Sequence, residues 1–161
     1  LEVLAENKEE GEKLLAHRGS LTVLTPHPKE ASRLLGCNID DIEFDRYQAV
    51  QNLARRYHCH AILKGKGTLI TNPGGPTVVV NLGDTGLSKG GTGDLLTGIL
   101  ASCLAQGQSA QHALPLAVYI HARASEILTQ KRGSERASLA GEIADTLVDV
   151  FRELEQCKFA P

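Results

Sequence analysis

The sequence predicts an α/β fold in which a mostly parallel sheet carries one antiparallel hairpin and is covered by helices on both faces. Three observations predict it. Short apolar, β-branched runs alternate with helical periodicity through the first half of the chain. Two of those runs, "TLITN" and "TVVVN", flank the turn sequence "PGGP". From Thr92 onward the periodicity is helical almost to the end. With 161 residues, 42% of them hydrophobic and 22% charged, the chain can build one core, so a single domain over residues 1–161 is expected and disorder is not. No internal repeat, low-complexity tract or linker interrupts it.

Each element has its own signal. Residues 1–17 read as a helix with Leu1, Leu4, Leu14 and Leu15 on one side, although no N-cap precedes Leu1. "LTVLT" (21–25) reads as a buried strand stopped by Pro26 and Pro28 of "TPHP", because a residue before proline is held extended and proline has no N–H to donate. A helix follows at about 28–35. "FDRYQAVQNLARRYH" (44–58) repeats apolar residues at Phe44, Tyr47, Val50, Leu53, Ala54 and Tyr57, the spacing of a helix, and Asp45 suits its first turn. "CHAILKG" (59–65), "TLITN" (68–72) and "TVVVN" (77–81) are three strands, the last two forming the hairpin. Helices at 92–106, about 109–130 and about 138–156 complete the chain, separated at Gly107 and Gly133.

A formal net charge of −2 gives no electrostatic reason to expect nucleic acid or an anionic membrane as partner, which leaves a small molecule. No stretch approaches the roughly 18–20 apolar residues of a membrane span, and no basic region followed by an apolar run opens the chain, so a cytoplasmic protein is expected. Cys37, Cys59, Cys103 and Cys157 are scattered without a CxxC and read as reduced thiols.

The stretch "LSKGGTGDLLTGIL" (87–100) is the most informative. Leu95, Leu96, Ile99 and Leu100 place a helix start near Thr92, with Gly90, Gly91 and Gly93 around its first turn. Helix starts leave N–H groups without internal partners and carry partial positive charge, so the amides of Gly91, Thr92 and Gly93 could cradle an oxyanion. Asp94 then stands where a base could take a proton from a hydroxyl attacking phosphorus. The plainer reading also stands on this pattern: Asp94 stabilises the helix start and the glycines only turn the chain. Ligands of such sheets bind beyond the carboxyl ends of the strands, which puts "TPHP", "LKGKGT" and "KGGTGD" along one rim.

Other candidates weigh less. His58, Cys59 and His60 of "YHCH" stand together, but alternate strand residues face opposite sides and no further ligand follows at zinc-like spacing, so no metal site is expected. His112 and His121 fall on late helices as surface or packing residues, and the charges at 6–13 and 152–155 read as solvated helix faces. Lys64 is either a strand-end lysine reaching solvent or a ligand of the rim.

"KGGTGDLLTGILASCLAQG" (89–107), with "LTPHPKEASRLLG" (24–36) and "ILKGKGT" (62–68) upstream in that order, resembles the C-terminal part of ADP/ATP-dependent NAD(P)H-hydrate dehydratases of the ribokinase-like superfamily. The resemblance runs over nearly the whole chain, and three ordered motifs are far more specific than a lone "GTGD", which many ribokinase-like kinases share. It implies a three-layer α/β/α sandwich and a repair reaction. In that reaction the S form of hydrated NADH or NADPH (NADHX, NADPHX) returns to the normal coenzyme through phosphorylation of its hydroxyl and loss of phosphate. It implies ADP or ATP with Mg2+, and no metal held by the protein alone.

Position by position, the resemblance puts His27 against the hydrated nicotinamide, Asp94 as the base beside it, and Gly91, Thr92 and Gly93 as the anion hole. It puts Lys64, Gly65, Lys66, Gly67 and Thr68 on the nucleotide, together with the segment 84–93, which includes Lys89 and Gly90. Two departures stand out. The family domain extends further at its N-terminus, with an acidic strand end just before the position of Leu1, so the first strands are expected from a companion N-terminal polypeptide, in a homo-oligomer of such pairs. "LGDTGLSKGG" also replaces the Asn-Pro-Gly and alanine commoner in the family, which adds Lys89 beside the anion site. A ribokinase-like small-molecule kinase of the hydroxymethylpyrimidine or hydroxyethylthiazole type, and a non-catalytic nucleotide-binding fragment, remain as the other readings.

Overall fold

Pro26 and Pro28 shorten the first strand, as their chemistry requires. In the computed structural model, which describes residues 1–156, β1 is only Val23–Leu24. It pairs in parallel with β2 (His60–Leu63), Val23 opposite His60 and Leu24 opposite Ala61. Backbone bonding continues on either side of the strand proper: the His60 N–H donates to the Thr22 carbonyl at 3.0 Å and the Lys64 N–H to the Pro26 carbonyl at 2.9 Å. Proline, lacking an N–H, still accepts.

The strands stand in the order β1-β2-β3-β4, with β3 at Thr68–Thr71 and β4 at Val78–Val80. The expected hairpin is present, Thr68 opposite Val80 and Ile70 opposite Val78. Antiparallel pairing goes further than that one hairpin, however, because β2 and β3 also run antiparallel, with Ile62 opposite Ile70. The four-residue link "KGKG" is too short for the crossover that a parallel pair needs, so the sheet of the described residues is mixed.

Two compact units make up the chain, Leu1–Asn81 and the part from Leu82 onward. The first unit holds the sheet. Its core gathers Leu24, Leu34, Ile42, Val50, Leu53, Tyr57 and Leu63 from the strands, from α3 (Pro28–Leu35), α4 (Ile39–Phe44) and α5 (Arg46–Arg56). The α4 helix is absent from the sequence expectation, and Asp45 separates it from α5. Its side chain accepts from the Gln48 N–H at 2.9 Å and so caps a new helix at Arg46. Phe44 is consequently 94% exposed and Tyr47 54%, while Val50, Leu53, Ala54 and Tyr57 are buried as their spacing requires.

At the start of the chain, the single helix expected over 1–17 is broken at Asn7 into α1 (Glu2–Glu6) and α2 (Lys8–Ala16). The Asn7 side chain donates to the Val3 carbonyl at 3.0 Å, the local competition that makes asparagine a helix terminator. Leu4 and Leu15 pack against the core, but Leu1 and Leu14 are exposed, so the four leucines do not form one buried stripe.

The second unit is helical: α6 (Thr92–Ala105), α7 (Ala110–Arg132) and α8 (Ala140–Gln156), all close to their expected places. Gly107 and Gly133 stand past the ends of α6 and α7 with φ of 80° and 68°, the left-handed conformation that glycine adopts without strain. His112 is exposed and His121 is buried on α7. The charge groups expected to be solvated are partly tied down, since Glu12 pairs with Arg56 at 2.5 Å and Glu153 with Arg123 at 2.8 Å. Cys59 and Cys103 are buried thiols, Cys59 pushed up to about 12 by burial, and Cys37 is exposed; Cys157 lies outside the described residues.

The C-terminus of α3 shows how the first unit closes its polar accounts. The Tyr57 hydroxyl, fully buried, donates to the Leu34 carbonyl at 3.0 Å, and Arg56 Nη1 to the Leu35 carbonyl at 3.1 Å. Both are carbonyls that a helix end leaves without internal donors. Tyr57→Phe keeps the packing and strands the Leu34 oxygen, so chemical denaturation should show a loss of about 1–3 kcal/mol.

Candidate functional site

Because β1 and β2 run parallel, their carboxyl ends lie at the same end of the sheet, and "TPHP" and "KGKG" follow those two ends. The Lys64–Pro26 backbone bond ties the motifs together. His27 is the N-cap of α3: its Nδ1 accepts from the Glu30 N–H at 3.2 Å, and its own N–H donates to Glu30 Oε2 at 2.8 Å. This is a capping box with histidine in the place usually held by serine or threonine. With Nδ1 accepting, neutral His27 carries its proton on Nε2, on a ring that is 48% exposed. The Glu30 carboxylate lies 3.5 Å from His27 Nε2 and 3.8 Å from Lys64 Nζ. One carboxylate thus stands between the two sequence-predicted residues.

The turn from Lys64 to Gly67 needs its glycines, with φ of 141° at Gly65 and 69° at Gly67. Thr68 Oγ1 donates to the Gly65 carbonyl at 3.3 Å, closing the turn from the strand side. From the other side comes the guanidinium of Arg46, with Nη1 donating to the Lys66 carbonyl at 3.0 Å. Lys66 is exposed and Lys64 half-buried.

In the second unit, α6 begins after Gly91, whose φ of 86° and ψ of −15° are left-handed. Thr92 is buried, and its hydroxyl lies 2.7 Å from the Leu87 carbonyl and 2.8 Å from that of Lys89. The Thr92 side chain therefore fastens the preceding loop, while its N–H makes a long 3.4 Å bond to the Lys89 carbonyl. Lys89, Gly90, Gly91 and Asp94 are exposed, so the start of α6 presents a carboxylate and the glycines before it to solvent. The loop is anchored further back by Asp84, whose Oδ1 accepts from the Gly86 N–H at 2.9 Å and from Ser125 Oγ at 2.6 Å. Gly86 has no room for a side chain, since a Cβ would come 2.8 Å from both Asp84 Oδ1 and Ser125 Oγ. Thr85 is held by Glu135 through its N–H and hydroxyl.

Among the described residues no group of three or more His, Cys, Asp or Glu side chains is placed to hold a metal. In "YHCH", Cys59 is buried, His58 turns the chain at a φ of 47°, and burial lowers the His60 pKa.

The model of a family described as NAD(P)H-hydrate dehydratase matches residues 1–148. The chain belongs to the NAD(P)H-hydrate dehydratase family. It is 40% identical over 144 residues to the bifunctional NAD(P)H-hydrate repair enzyme Nnr of Vibrio cholerae, covering 87% of this chain and 28% of that one. It is 38% identical over 122 residues to the ADP-dependent (S)-NAD(P)H-hydrate dehydratase of Neisseria meningitidis, covering 76% of this chain and 41% of that one. A structure of the ADP/ATP-dependent NAD(P)H-hydrate dehydratase of Bacillus subtilis, co-crystallised with ATP/Mg2+, superposes with a TM-score of 0.79 at 33% identity, covering 84% of this chain and 49% of that one. A ribokinase-like superfamily protein of Enterococcus faecalis gives a TM-score of 0.69 at 28% identity, covering 81% and 44%. The fold is therefore ribokinase-like, and the chain spans half or less of the length of these relatives.

Three residues that organise this dehydratase-family chain escaped the sequence reading. Glu30 was legible, because "HPKE" has the spacing of a capping box. Arg46 left a fainter sign, a cation at the start of a helix where the dipole disfavours it. Asp84 left none that separates it from any loop aspartate.

Gly91 offers a direct check on this geometry. An added Cβ would meet the Ala140 Cβ at 3.2 Å and force an L residue into the left-handed region. Gly91→Ala should cost about 1–3 kcal/mol in denaturant unfolding.

Proposed function

We propose that this chain carries the nucleotide and chemical machinery of a dehydratase acting on NADHX and NADPHX, with ADP or ATP as phosphoryl donor. The observation that carries it is the joining of "TPHP" to "KGKGT": motifs 37 residues apart share a backbone hydrogen bond and a common carboxylate, at the end of the sheet where such folds bind ligands. The similarity to NAD(P)H-hydrate dehydratases supports the substrate.

The roles follow from the side chains. His27 presents Nε2–H to the hydrated nicotinamide. The resemblance assigns nucleotide contact to Lys64, Gly65, Lys66, Gly67 and Thr68 in the first unit and, separately, to Lys89 and Gly90 in the second. Asp94, exposed in the first turn of α6, accepts the proton of the substrate hydroxyl as its oxygen bonds to phosphorus and the donor's bridging oxygen leaves. Gly91, Thr92 and Gly93 face the oxygens of the transferring phosphoryl, where preorganised donors give their largest effect. The hydroxyl, now a phosphate ester, leaves with its C–O electron pair as the ring nitrogen lone pair moves in, and loss of a ring proton restores NADH or NADPH.

Among the described residues no carboxylate cage stands ready for Mg2+, whose usual mode is to bind phosphate oxygens with few protein ligands. Mg2+ bound with the nucleotide would supply charge neutralisation, and Lys64 and Lys66 would add cations from the turn of the first unit.

Since the chain spans half or less of its relatives, we assign the remaining strands to a companion N-terminal polypeptide, in a homo-oligomer of such pairs. No helix among the described residues is long and apolar enough to cross a membrane. A cytoplasmic location is part of the proposed reading.

Two measurements test this reading. Asp94→Asn in the complete assembly should lower NADHX turnover by roughly 10²–10⁴ while calorimetry shows nucleotide affinity retained; unchanged turnover removes Asp94 from the mechanism. Residues 1–161 expressed alone should give no NADHX dehydration, and co-expression with the N-terminal segment should restore it. Full activity of the solitary chain would refute the companion.

A further inference from the structure

Arg46 stands where local rules oppose it. It is the first residue of α5, whose partial positive charge disfavours a cation, whereas Arg55 and Arg56 occupy the other end of the same helix, where cations are favoured. What offsets the misplacement is the turn after β2. Nη1 donates to the Lys66 carbonyl at 3.0 Å, and Nη2 lies 3.4, 3.3 and 3.4 Å from the carbonyl oxygens of Leu63, Lys64 and Gly67. Four carbonyls of one five-residue stretch converge on one planar cation. Gly65 leaves the room for it, because a Cβ there would come 2.7 Å from Nη1 and 2.8 Å from Nη2.

Peptide geometry turns this clamp into an orientation. In a trans peptide the N–H points opposite to the carbonyl, and no cis peptide occurs among the described residues. The Leu63 carbonyl shares its peptide unit with the Lys64 N–H, which donates to Pro26. The Lys64 and Lys66 carbonyls share theirs with the N–H groups of Gly65 and Gly67, so these two amides face away from the guanidinium. With its carbonyls gathered underneath, the turn offers donors outward, flanked by the side chains of Lys64 and Lys66. Such a surface suits a ligand rich in anionic or acceptor oxygens.

We infer that Arg46 is a positioning residue for the nucleotide: it holds the turn by its carbonyls so that the Gly65 and Gly67 amides face the nucleotide's oxygens. The inference rests on the proposed reading of "KGKGT" as a nucleotide-binding segment. Arg46 itself makes no contact with the nucleotide and acts through the turn. Lysine cannot replace it fully, since one ammonium lacks the planar fork that spans several carbonyls.

The test is an ADP titration of the full protein labelled with ¹⁵N in glycine, with calorimetry and steady-state kinetics alongside. In the wild type the Gly65 and Gly67 amide resonances should move on saturation with ADP. Arg46→Gln should displace both resonances before ligand is added and weaken ADP binding about tenfold, the scale of a lost charge-assisted hydrogen bond. The nucleotide KM should rise by more than kcat falls. Arg46→Lys should fall between the two. If Arg46→Gln does not fold, Arg46→Lys decides the matter, since it keeps the charge and loses the planar fork, and ADP affinity equal to wild type in it would overturn the role of the guanidinium. Wild-type amides that stay still at saturating ADP overturn the nucleotide-binding reading of the turn. Amides that respond in the wild type, with ADP affinity unchanged in the folded variant, leave that reading standing and overturn the role of Arg46.

Discussion

The parallel register of β1 on β2 is the constraint from which the first unit's site follows. It is a short pairing, two residues long, extended by the backbone bonds of His60 to Thr22 and of Lys64 to Pro26. A slip of one residue would reverse the faces of Ala61, Ile62 and Leu63 and pull Lys64 away from Pro26. Ala61, Ile62 and Leu63 are consecutive and all fully buried, so both faces of β2 are covered, and the backbone bonds that bracket the pairing hold its register. That backbone pairing fixes where His27 stands relative to Lys64. The Glu30 carboxylate can serve both only because the register has already brought them within its reach.

From that anchor the polar groups are settled in sequence. Glu30 caps α3 and receives the His27 N–H, so the histidine ring is oriented by the helix it begins. At the other end of α3, Gly36 adopts a φ of 75° and the Gly36 and Cys37 amides return to the Ser32 carbonyl, while Tyr57 and Arg56 of the neighbouring chain segment reach the last carbonyls. The helix bearing His27 is thus satisfied at both ends. A functional side chain on such an element needs no strain of its own to stay in place.

Much of this was legible. Strand and helix positions followed from period and punctuation, since proline, glycine and apolar spacing act locally and are present in the sequence itself. The "PGGP" hairpin and the breaks at Gly107 and Gly133 stand where they were expected. The misses came where a short polar side chain competed with the helix backbone: Asn7 divided the helix expected over 1–17, and Asp45 capped α5 at Arg46 and left Phe44 on α4, a helix that was not expected. For the site, the residue types of "TPHP", "KGKGT" and "KGGTGD" were readable, but their support was not. Glu30 and Arg46 act through contacts across 34 and up to 21 residues of chain. Ser125 reaches Asp84 across 41, and no spacing rule covers such distances.

Local rules are broken in a pattern that itself carries information. Arg46 opposes its helix dipole, His27 caps a helix in place of serine or threonine, and Gly91 opens α6 in a conformation other residues avoid. Many other placements follow the local rules, with acidic residues in the first turns of α2 and α8, basic residues in the last turns of α5 and α7 and left-handed glycines at helix ends, although Pro115 lies inside α7 and His58 is left-handed. Proteins tend to depart from local consistency at functional sites, where a conformation is held by its surroundings in spite of propensity. The three departures fall in "TPHP", beneath "KGKGT" and within "KGGTGD", the motifs singled out for chemistry. An unusual cap, an unfavourable charge placement and a backbone conformation that needs glycine thus fall at or beside the motifs that spacing singled out, and each is read from physics that does not use the resemblance.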